Sequence, residues 1–237
     1  MGALGLRRRV AGRFRPTADT LTERDQQLVW RIAALLLDYP TEQTLGMLGD
    51  LREVAATVPG PAGEHLVECL DFMGATPRIE LSALYVETFD LRRRSSLHLS
   101  YYAYGDTRNR GMALLRFKNA YRNAGVTLGD HELPDYLPVV LEFAATADAA
   151  RGYRLLVTHR AVVEVLRLSL RDGGSPFAGV LDAVCMTLPD LDTDDRQQVA
   201  KLAAEGPPEE AVGLDTYALD PALHPSIDEY PEIGARR

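Results

Sequence analysis

The chain is organised around one stretch, which consists of YVETFD (Tyr85–Asp90), RRRSSLHLSYYAYGDTRNRG (Arg92–Gly111) and DHELPDYLPVVLEF (Asp130–Phe143). These three pieces are dense in arginine, aromatic rings and carboxylates. A segment that only packed against its neighbours would use mainly Leu, Val and Ala. The composition of this stretch therefore indicates recognition or chemistry.

The sequence on both sides of this stretch has helical periodicity. Apolar residues recur at spacings of three and four after Thr22, after Thr41 and, as one long helix, from Tyr153 to Arg171. The alternation that predicts a strand is missing from the sequence. We therefore predict an all-α fold, with one globular domain of eight or nine helices over residues 20–206.

Local patterns predict where several helices begin. Thr22 followed by Asp25 is a capping-box pattern, and Thr41 is a suitable N-cap for the next helix. Asp135 is a sensible N-cap for a helix that would have Pro138 at its third position, where the missing N–H needs no intrahelical partner. The alternative for the Asp135 carboxylate is an interaction with a basic peptide or with a neighbouring arginine.

The two ends of the chain differ in charge. Residues 1–19 are basic and interrupted by Gly and Pro, so we expect a flexible arm. Residues 207–237 are acidic, contain proline and lack helical periodicity, so we expect a mostly disordered tail. No apolar segment follows Arg7, Arg8 and Arg9, so the arm is not a secretion signal.

Composition excludes several classes of protein. The net charge of -8 argues against a nucleic-acid-binding protein, because phosphates must be met by positive charge. Cys69 and Cys185 are far apart and form no CxxC motif, which fits a reducing compartment and gives no zinc signature. Apolar runs of the roughly 18 to 20 residues that span a membrane are missing. We expect a cytoplasmic protein without direct membrane insertion.

Catalytic motifs are weak. His131 and Glu132 resemble the start of an HExxH zinc motif, but Asp135 occupies the place of the second histidine. Phosphate-binding loops and nucleophile elbows are missing, and the residues indicate no cofactor. Two alternatives stay open: a metal-dependent hydrolase that uses His131, Glu132 and His98, and a nucleic-acid-binding regulator that uses the arginine-rich segments.

Aromatic and basic residues suit a binding surface. Tyrosines at 101, 102 and 104 follow a polar loop; two of the three are expected in the core, and the group could also line a groove for a peptide. The positive charges of the same stretch could contact an anion or an acidic partner surface. They are Arg92, Arg93, Arg94 and Arg108.

The pieces YVETFDLRRRSSLHLSYYAYGDTRNRG and DHELPDYLPVVLEF resemble the NarJ-type nitrate reductase assembly chaperones, a branch of the all-helical redox-enzyme maturation chaperones that includes TorD and DmsD. The resemblance is strongest over residues 80 to 145. It implies a TorD-like helical fold and no catalysis. It also implies a partner: the apo catalytic (alpha) subunit of nitrate reductase, whose N-terminal peptide is held while molybdenum cofactor and iron–sulfur clusters are inserted, before membrane docking.

The resemblance also implies a peptide-binding site. In the wider family Asp-His usually stands where this chain has Asp135 and Tyr136, so a role that needs an imidazole there does not transfer. The residues implied by the first motif are Tyr85, Phe89, His98, Ser100, Tyr101 and Tyr104, and those implied by the second are Glu132, Pro134, Asp135 and Tyr136.

Overall fold

The computed structural model describes residues 21–105, 108–129 and 132–207, without the side chains of residues 108 and 109. These ranges contain twelve α-helices, so the all-α prediction is confirmed and the predicted count of eight or nine is too low. The helices are α1 (Glu23–Leu36), α2 (Glu42–Gly46), α3 (Leu48–Ala55), α4 (Pro61–Ala75), α5 (Arg78–Tyr85), α6 (Tyr101–Tyr104), α7 (Arg108–Asn123), α8 (Leu137–Thr146), α9 (Ala149–Thr158), α10 (Arg160–Asp172), α11 (Ala178–Met186) and α12 (Thr193–Glu205).

The higher count arises because two predicted helices are interrupted and because the short α6 forms a helix of its own. The helix capped by Thr41 ends at Gly46 and resumes as α3 after Met47. The predicted long helix from Tyr153 to Arg171 is divided at His159, whose backbone (φ -106°, ψ 21°) leaves the helical region. The His159 ring Nδ1 lies 2.8 Å from the Leu155 carbonyl oxygen and supports the end of α9. Hydrophobic periodicity continues through such a break and does not reveal it.

The predicted capping box at the start of α1 is confirmed. The Thr22 hydroxyl accepts a hydrogen bond from the Asp25 backbone N–H, and the Asp25 carboxylate accepts one from the Thr22 N–H, which completes the capping box. Gly105 ends α6 and Gly125 follows α7, and both have the positive φ that favours glycine (54° and 74°). The arm at 1–19 and the tail beyond Pro207 lie outside the described residues.

A π-helical segment, Val86–Asp90, continues α5 without a gap. The Leu91 N–H donates to the Val86 carbonyl oxygen at 3.0 Å, five residues back, as a π-helical turn requires. Phe89 on this segment is buried against Tyr85 and Phe177, with ring centroids 4.9 and 5.2 Å apart. Asp90 is exposed. The π-turn therefore places a buried ring and an exposed carboxylate on adjacent residues.

Helix α1 is the centre of the core. It packs against α3, α4, α8 and α11, and its residues Val29, Ile32, Ala33 and Leu36 are fully or almost fully buried. The buried Trp30 Nε1 donates to Thr187 Oγ1 at 2.8 Å, so its polar atom is satisfied. Within the described ranges, every helix falls short of the length and apolar composition needed to cross a membrane.

Helices α8 and α9 approach closely at Gly152. A Cβ at this position would lie 2.3 Å from the Ala144 Cβ and 2.4 Å from its Cα. Neither atom can move without displacing the buried α8 backbone, which also contacts α1. The absence of a side chain at Gly152 therefore sets the spacing of this helix pair.

We expect Gly152→Ala to lower the free energy of unfolding by about 1–3 kcal/mol, because the added methyl group overpacks a close helix contact. Urea unfolding followed by circular dichroism measures the change. The matched control is Gly74→Ala, where a Cβ meets nothing within 4 Å, so that stability is unchanged or rises by up to about 1 kcal/mol. Equal stability of the two variants would contradict the proposed close packing.

Candidate functional site

The two motif-bearing segments of the sequence meet in space. His98 and Tyr136 form an antiparallel β-bridge, in which the Leu99 N–H donates to the Asp135 carbonyl oxygen at 2.9 Å. The Leu137 N–H donates to the Leu97 carbonyl oxygen at 2.8 Å. The His98 and Tyr136 rings also lie in contact, with centroids 5.2 Å apart. The loop before α6 and the loop before α8 are therefore one structural unit.

The Asp135 side chain holds this unit together from inside. It is 0% exposed, and its Oδ2 accepts hydrogen bonds from the Ser100 backbone N–H at 3.1 Å and from the Ser100 hydroxyl. Arg110 Nη2 on α7 lies 3.3 Å from the same oxygen. The predicted N-cap role is wrong, because Tyr136 occupies the N-cap of α8 and makes no side-chain cap bond. The alternative, a carboxylate that meets a neighbouring arginine, is confirmed.

The charge of Asp135 is strongly stabilised. Burial by itself raises the pKa of this carboxyl, but hydrogen bonds from His98 and Ser100 and the charge of Arg110 outweigh it and lower the pKa to about 2. Of these groups, His98 has the weakest geometry for a hydrogen bond to Asp135. Its Nδ1 is 3.5 Å from Asp135 Oδ1, which is long for a hydrogen bond, and has no closer partner among the described atoms. Asp135 is therefore ionised throughout the physiological pH range.

Two tyrosines connect this unit to the end of α1. The Tyr85 hydroxyl lies 2.8 Å from the Tyr136 hydroxyl and 3.0 Å from the Leu37 carbonyl oxygen. Tyr136 also lies 3.3 Å from Asp38 Oδ1. Burial and neighbouring oxygens raise the pKa of both phenols, so they stay protonated. The two hydroxyl protons cannot fill all three of these contacts at once. The Asp38 carboxylate can therefore accept a hydrogen bond from a further donor.

A groove of about 680 Å³ opens beside these tyrosines. Its walls are the second half of α1, the outward face of α8 and the loop residues 126–128 and 132–136. Asp38 lies beside Tyr136 and Arg31 pairs with Glu142, so α1 and α8 run in opposite directions along the groove. Apolar and aromatic side chains provide much of the surface: Leu35, Tyr39, Leu128, Leu133, Val139 and Phe143.

The groove carries an excess of negative charge. Among the described residues, four carboxylates line it: Asp38, Asp90, Glu132 and Glu142. The single arginine in the lining, Arg31, forms an ion pair with Glu142. The other three carboxylates are exposed at the groove surface. A ligand that brings positive charge therefore fits this groove better than one that brings negative charge.

A smaller hollow of about 370 Å³ adjoins the groove and shares Tyr85, His98 and Tyr136 with it. Its other walls include Phe89, Tyr101 and Arg110. The Arg110 guanidinium lies 5.8 Å from the centre of the Tyr101 ring, within range of a cation–π contact. Tyr85, Phe89, Tyr101 and Tyr136 therefore line one continuous concave surface.

The predicted peptide-binding residues divide into two sets. Those that line the groove or the hollow are Tyr85, Phe89, His98, Tyr101, Glu132 and Tyr136. Those that line neither are Ser100, Tyr104, Pro134 and Asp135; of these, Ser100, Pro134 and Asp135 are buried, while Tyr104 is half-buried. The three buried residues hold the two motif-bearing segments in place. The Pro134 carbonyl oxygen accepts a hydrogen bond from the Tyr121 hydroxyl at 2.6 Å.

Sequence reasoning missed one wall of the groove. Asp38 and Tyr39 follow the end of α1, about a hundred residues before the second motif, and Glu142 and Val139 lie on α8. Tyr39 is 45% exposed and Leu133 is 43% exposed, both high for large apolar groups. An aromatic residue placed just after a helix end and before Pro40 is the signal that could have identified this wall.

The predicted partner-contact arginines already interact within the chain. Arg92 pairs with Glu87 at 2.6 Å, and Arg93 Nε donates to the Tyr101 hydroxyl at 3.0 Å. Arg94 Nη1 donates to the Ala203 carbonyl oxygen at 3.0 Å, near the end of α12. Of the tyrosines that follow them, Tyr101 and Tyr102 are buried, which confirms that two of the three belong to the core. The side chain of Arg108 is not among those described.

The metal-site alternative is only partly covered by the structure. His131 lies outside the described residues. Among those described, His, Cys, Asp and Glu form no group of three or more that could hold a metal ion. Glu132 faces the groove and His98 faces Asp135. Neither residue has a contact that favours the hydrolase hypothesis.

The sequence matches the family described as "Nitrate reductase delta subunit" over residues 56–182, more than half of the chain. The chain belongs to this family. The match covers both motifs in full and the helices that carry them, from α4 into α11. The resemblance inferred from the motifs is thereby confirmed.

Individual relatives agree with this assignment. The chain is 41% identical over 160 residues to the nitrate reductase-like protein NarX of Mycobacterium tuberculosis H37Rv, a match that covers 68% of this chain and 24% of that protein. The chain thus spans about a quarter of the length of NarX. It is 28% identical over 187 residues to NarJ of Escherichia coli K12, with 78% of this chain and 79% of that protein covered.

A solved structure shows the same fold. A protein from Archaeoglobus fulgidus that is described as a redox enzyme maturation protein superposes with a TM-score of 0.51. The match covers 75% of this chain and 97% of that one, at 20% sequence identity. The helical arrangement described above is therefore one that a crystal structure also contains.

We expect Asp135→Asn to lower the free energy of unfolding at pH 7 by about 2–3 kcal/mol, because the ionised carboxylate has a pKa of about 2 when folded and about 3.9 when unfolded. The stabilisation is present above pH about 4 and is lost as the pH falls toward 2. Urea unfolding at several pH values measures it, and the variant should lose less stability on acidification than the parent.

The control is Asp71→Asn, which removes an exposed carboxylate that pairs with Arg52. Its effect at pH 7 should be much smaller, because exposed ion pairs contribute little. If Asp135→Asn and Asp71→Asn behave alike across the pH range, Asp135 does not hold the two segments together.

Proposed function

We propose that this protein is an assembly chaperone of nitrate reductase, and that its groove binds the N-terminal segment of the apo catalytic subunit. The observation that carries the proposal is the groove itself: an acidic, aromatic-walled channel formed where the two motifs meet α1. A binding surface of this kind fits a partner segment better than a small reacting molecule, because apolar and aromatic side chains provide much of its described lining, with carboxylates among them.

The relatives support this class of function. The Escherichia coli protein is named nitrate reductase molybdenum cofactor assembly chaperone NarJ, and the Mycobacterium tuberculosis protein is named nitrate reductase-like. The match to NarJ covers more than three quarters of each chain. A shared fold alone would not license a shared function, but family membership and extended sequence similarity together favour it.

The shape of the groove suits an amphipathic helix. Helix-in-groove recognition places the apolar side chains of one helix face into a hydrophobic channel. Here Val139 and Phe143 on α8 and Leu35 on α1 supply the apolar floor, while the exposed Tyr39 and Leu133 stand at its edges. Burial of these groups on binding would contribute about 25 cal/mol per Å² before the costs of association.

The charges of the groove would orient the bound segment. Asp38, Asp90 and Glu132 are exposed and leave the groove negative, so a basic end of the segment would lie beside them. Such charges affect the association rate and the direction of binding more than the affinity. Asp38 is the best placed, because its carboxylate keeps hydrogen-bonding capacity beside Tyr136.

In this role the protein holds its client and does no chemistry. It would bind the N-terminal segment in the cytoplasm, while molybdenum cofactor and iron–sulfur clusters enter the catalytic subunit, and would delay docking to the membrane. Residues of both motifs shape the groove, and Asp135 keeps their loops in position. The mobility of such a client makes a preformed groove useful, because a rigid site reduces the entropy lost on binding.

Isothermal titration calorimetry tests the proposal, with a synthetic peptide that matches the N-terminus of the nitrate reductase catalytic subunit of the same organism. We expect one-to-one binding that Leu133→Ala weakens about tenfold, since burial of the exposed part of a leucine side chain on binding contributes about 1–2 kcal/mol. Absence of binding by the parent protein to any segment of that subunit would refute the proposed client.

The matched control is Ile79→Ala. Ile79 is 84% exposed on α5 and lines neither the groove nor the hollow. The same loss of apolar surface there should leave the affinity unchanged. Equal weakening by Leu133→Ala and Ile79→Ala would show that the peptide binds elsewhere.

We also expect the double variant Asp38→Asn, Glu132→Gln to slow association and to flatten its salt dependence, because rim carboxylates attract a basic segment over a distance screened by salt. Stopped-flow measurements at about 0.05 and 0.5 M salt report both effects. The control Glu53→Gln removes an exposed carboxylate of α3 outside the groove. It should leave the salt dependence of association as it is in the parent protein.

A further inference from the structure

We propose that the basic segment at residues 1–20 of this same chain occupies the acidic groove when no client is bound, and that the client must displace it. The competition with the client rests on the proposed function, but the contact between residues 1–20 and the groove does not. It follows from the charge of the segment, from its apolar spacing and from the place where it joins α1.

The charges of the two partners are opposite. Residues 1–20 contain five arginines, at positions 7, 8, 9, 13 and 15, and one carboxylate, Asp19. The groove is lined by four carboxylates and one arginine among the described residues. The chain as a whole has a net charge of -8, so this concentration of positive charge at one end is a local feature. The acidic groove is the concave surface that suits it best.

The apolar residues of the segment have the spacing of helix anchors. Leu6, Val10 and Phe14 follow one another at intervals of four, the spacing that places side chains on one helical face. Arg7, Arg9 and Arg13 fall beside them in the sequence. An apolar stripe bordered by arginine has the chemistry that the proposed client segment needs in order to bind here.

The segment can reach the groove. Leu21 is the first described residue, and α1 begins at Glu23. From Glu23 to Arg31, where the groove lining begins on α1, the helix rises about 12 Å. Residues 15–20 in an extended form span up to ~20 Å. Because α8 is antiparallel to α1, the groove end at Thr146 is the one closer to the start of α1.

Attachment to the same chain makes a weak contact effective. A segment joined by a short connection has an effective concentration in the millimolar range. If its intrinsic dissociation constant were about 0.1 mM, the groove would be occupied and the apparent affinity of the client lowered about tenfold. The segment would keep the exposed Tyr39 and Leu133 covered between clients.

Photo-cross-linking of the full chain tests the contact without any client. We would replace Phe14 with p-benzoylphenylalanine and map the cross-links by mass spectrometry. We expect them at residues 31–39 and 126–147 of the same chain. The control has the photoreactive group at Tyr217, in the acidic C-terminal segment. The groove repels that segment, so cross-links from position 217 should avoid it.

A second measurement tests the consequence. In the full chain we would replace arginines 7, 8, 9, 13 and 15 with glutamine and titrate the client peptide into parent and variant. We expect the variant to bind about tenfold more tightly, because the competing segment has lost its charge. Added salt should weaken client binding more in the variant than in the parent, because in the parent it also weakens the competing basic segment.

The outcomes separate this inference from the proposed function. Cross-links in the groove together with tighter client binding support both. Equal client affinity and cross-links elsewhere overturn the inference and leave the proposed function standing. Cross-links in the groove without client binding support occupation by the segment and overturn the proposed client. Cross-links that join two chains overturn it in favour of a groove filled by a second copy.

Discussion

The buried carboxylate of Asp135 is the interaction on which the candidate site depends. It lies 35 residues from Ser100 in the chain, yet it accepts the Ser100 N–H and hydroxyl and attracts Arg110 of α7. An ionised group that is wholly buried would be costly without these donors. With them it fixes two irregular loops against each other, and regular backbone pairing is limited to the bridge at His98 and Tyr136. The position of the two loops that form this wall therefore depends on an electrostatic interaction.

Along the groove wall, neighbouring residues have different roles. Along the second motif, Pro134 and Asp135 face inward and are buried, whereas Glu132, Leu133 and Tyr136 face the groove. Residues that hold the site are thus interleaved with residues that meet a ligand. Substitutions at the first set would disturb the shape of the groove, and those at the second set would change its chemistry.

The features predicted correctly from the sequence are those that local interactions determine. The capping box at Thr22 and the N-cap at Thr41 each involve a residue three positions further along the chain, and both are confirmed. The Asp135 cap failed because a tertiary partner, Ser100, outcompeted the local N–H groups. The α1 wall was missed because its local signal, Tyr39 before Pro40, does not indicate what it faces, and the packing of α1 against α8 is what brings it to the groove.

The π-helical segment Val86–Asp90 makes chain length itself part of the site. A π-turn is an α-helix that accommodates one additional residue within a single turn. The chain from Tyr85 to Asp90 therefore turns about as far in five residues as an α-helix would in four. Loss of one residue there would leave the rest of the chain nearly in its present orientation, but it would remove one side chain from the segment between Tyr85 and Asp90, which both line the groove. The number of side chains that this wall presents thus depends on a single additional residue.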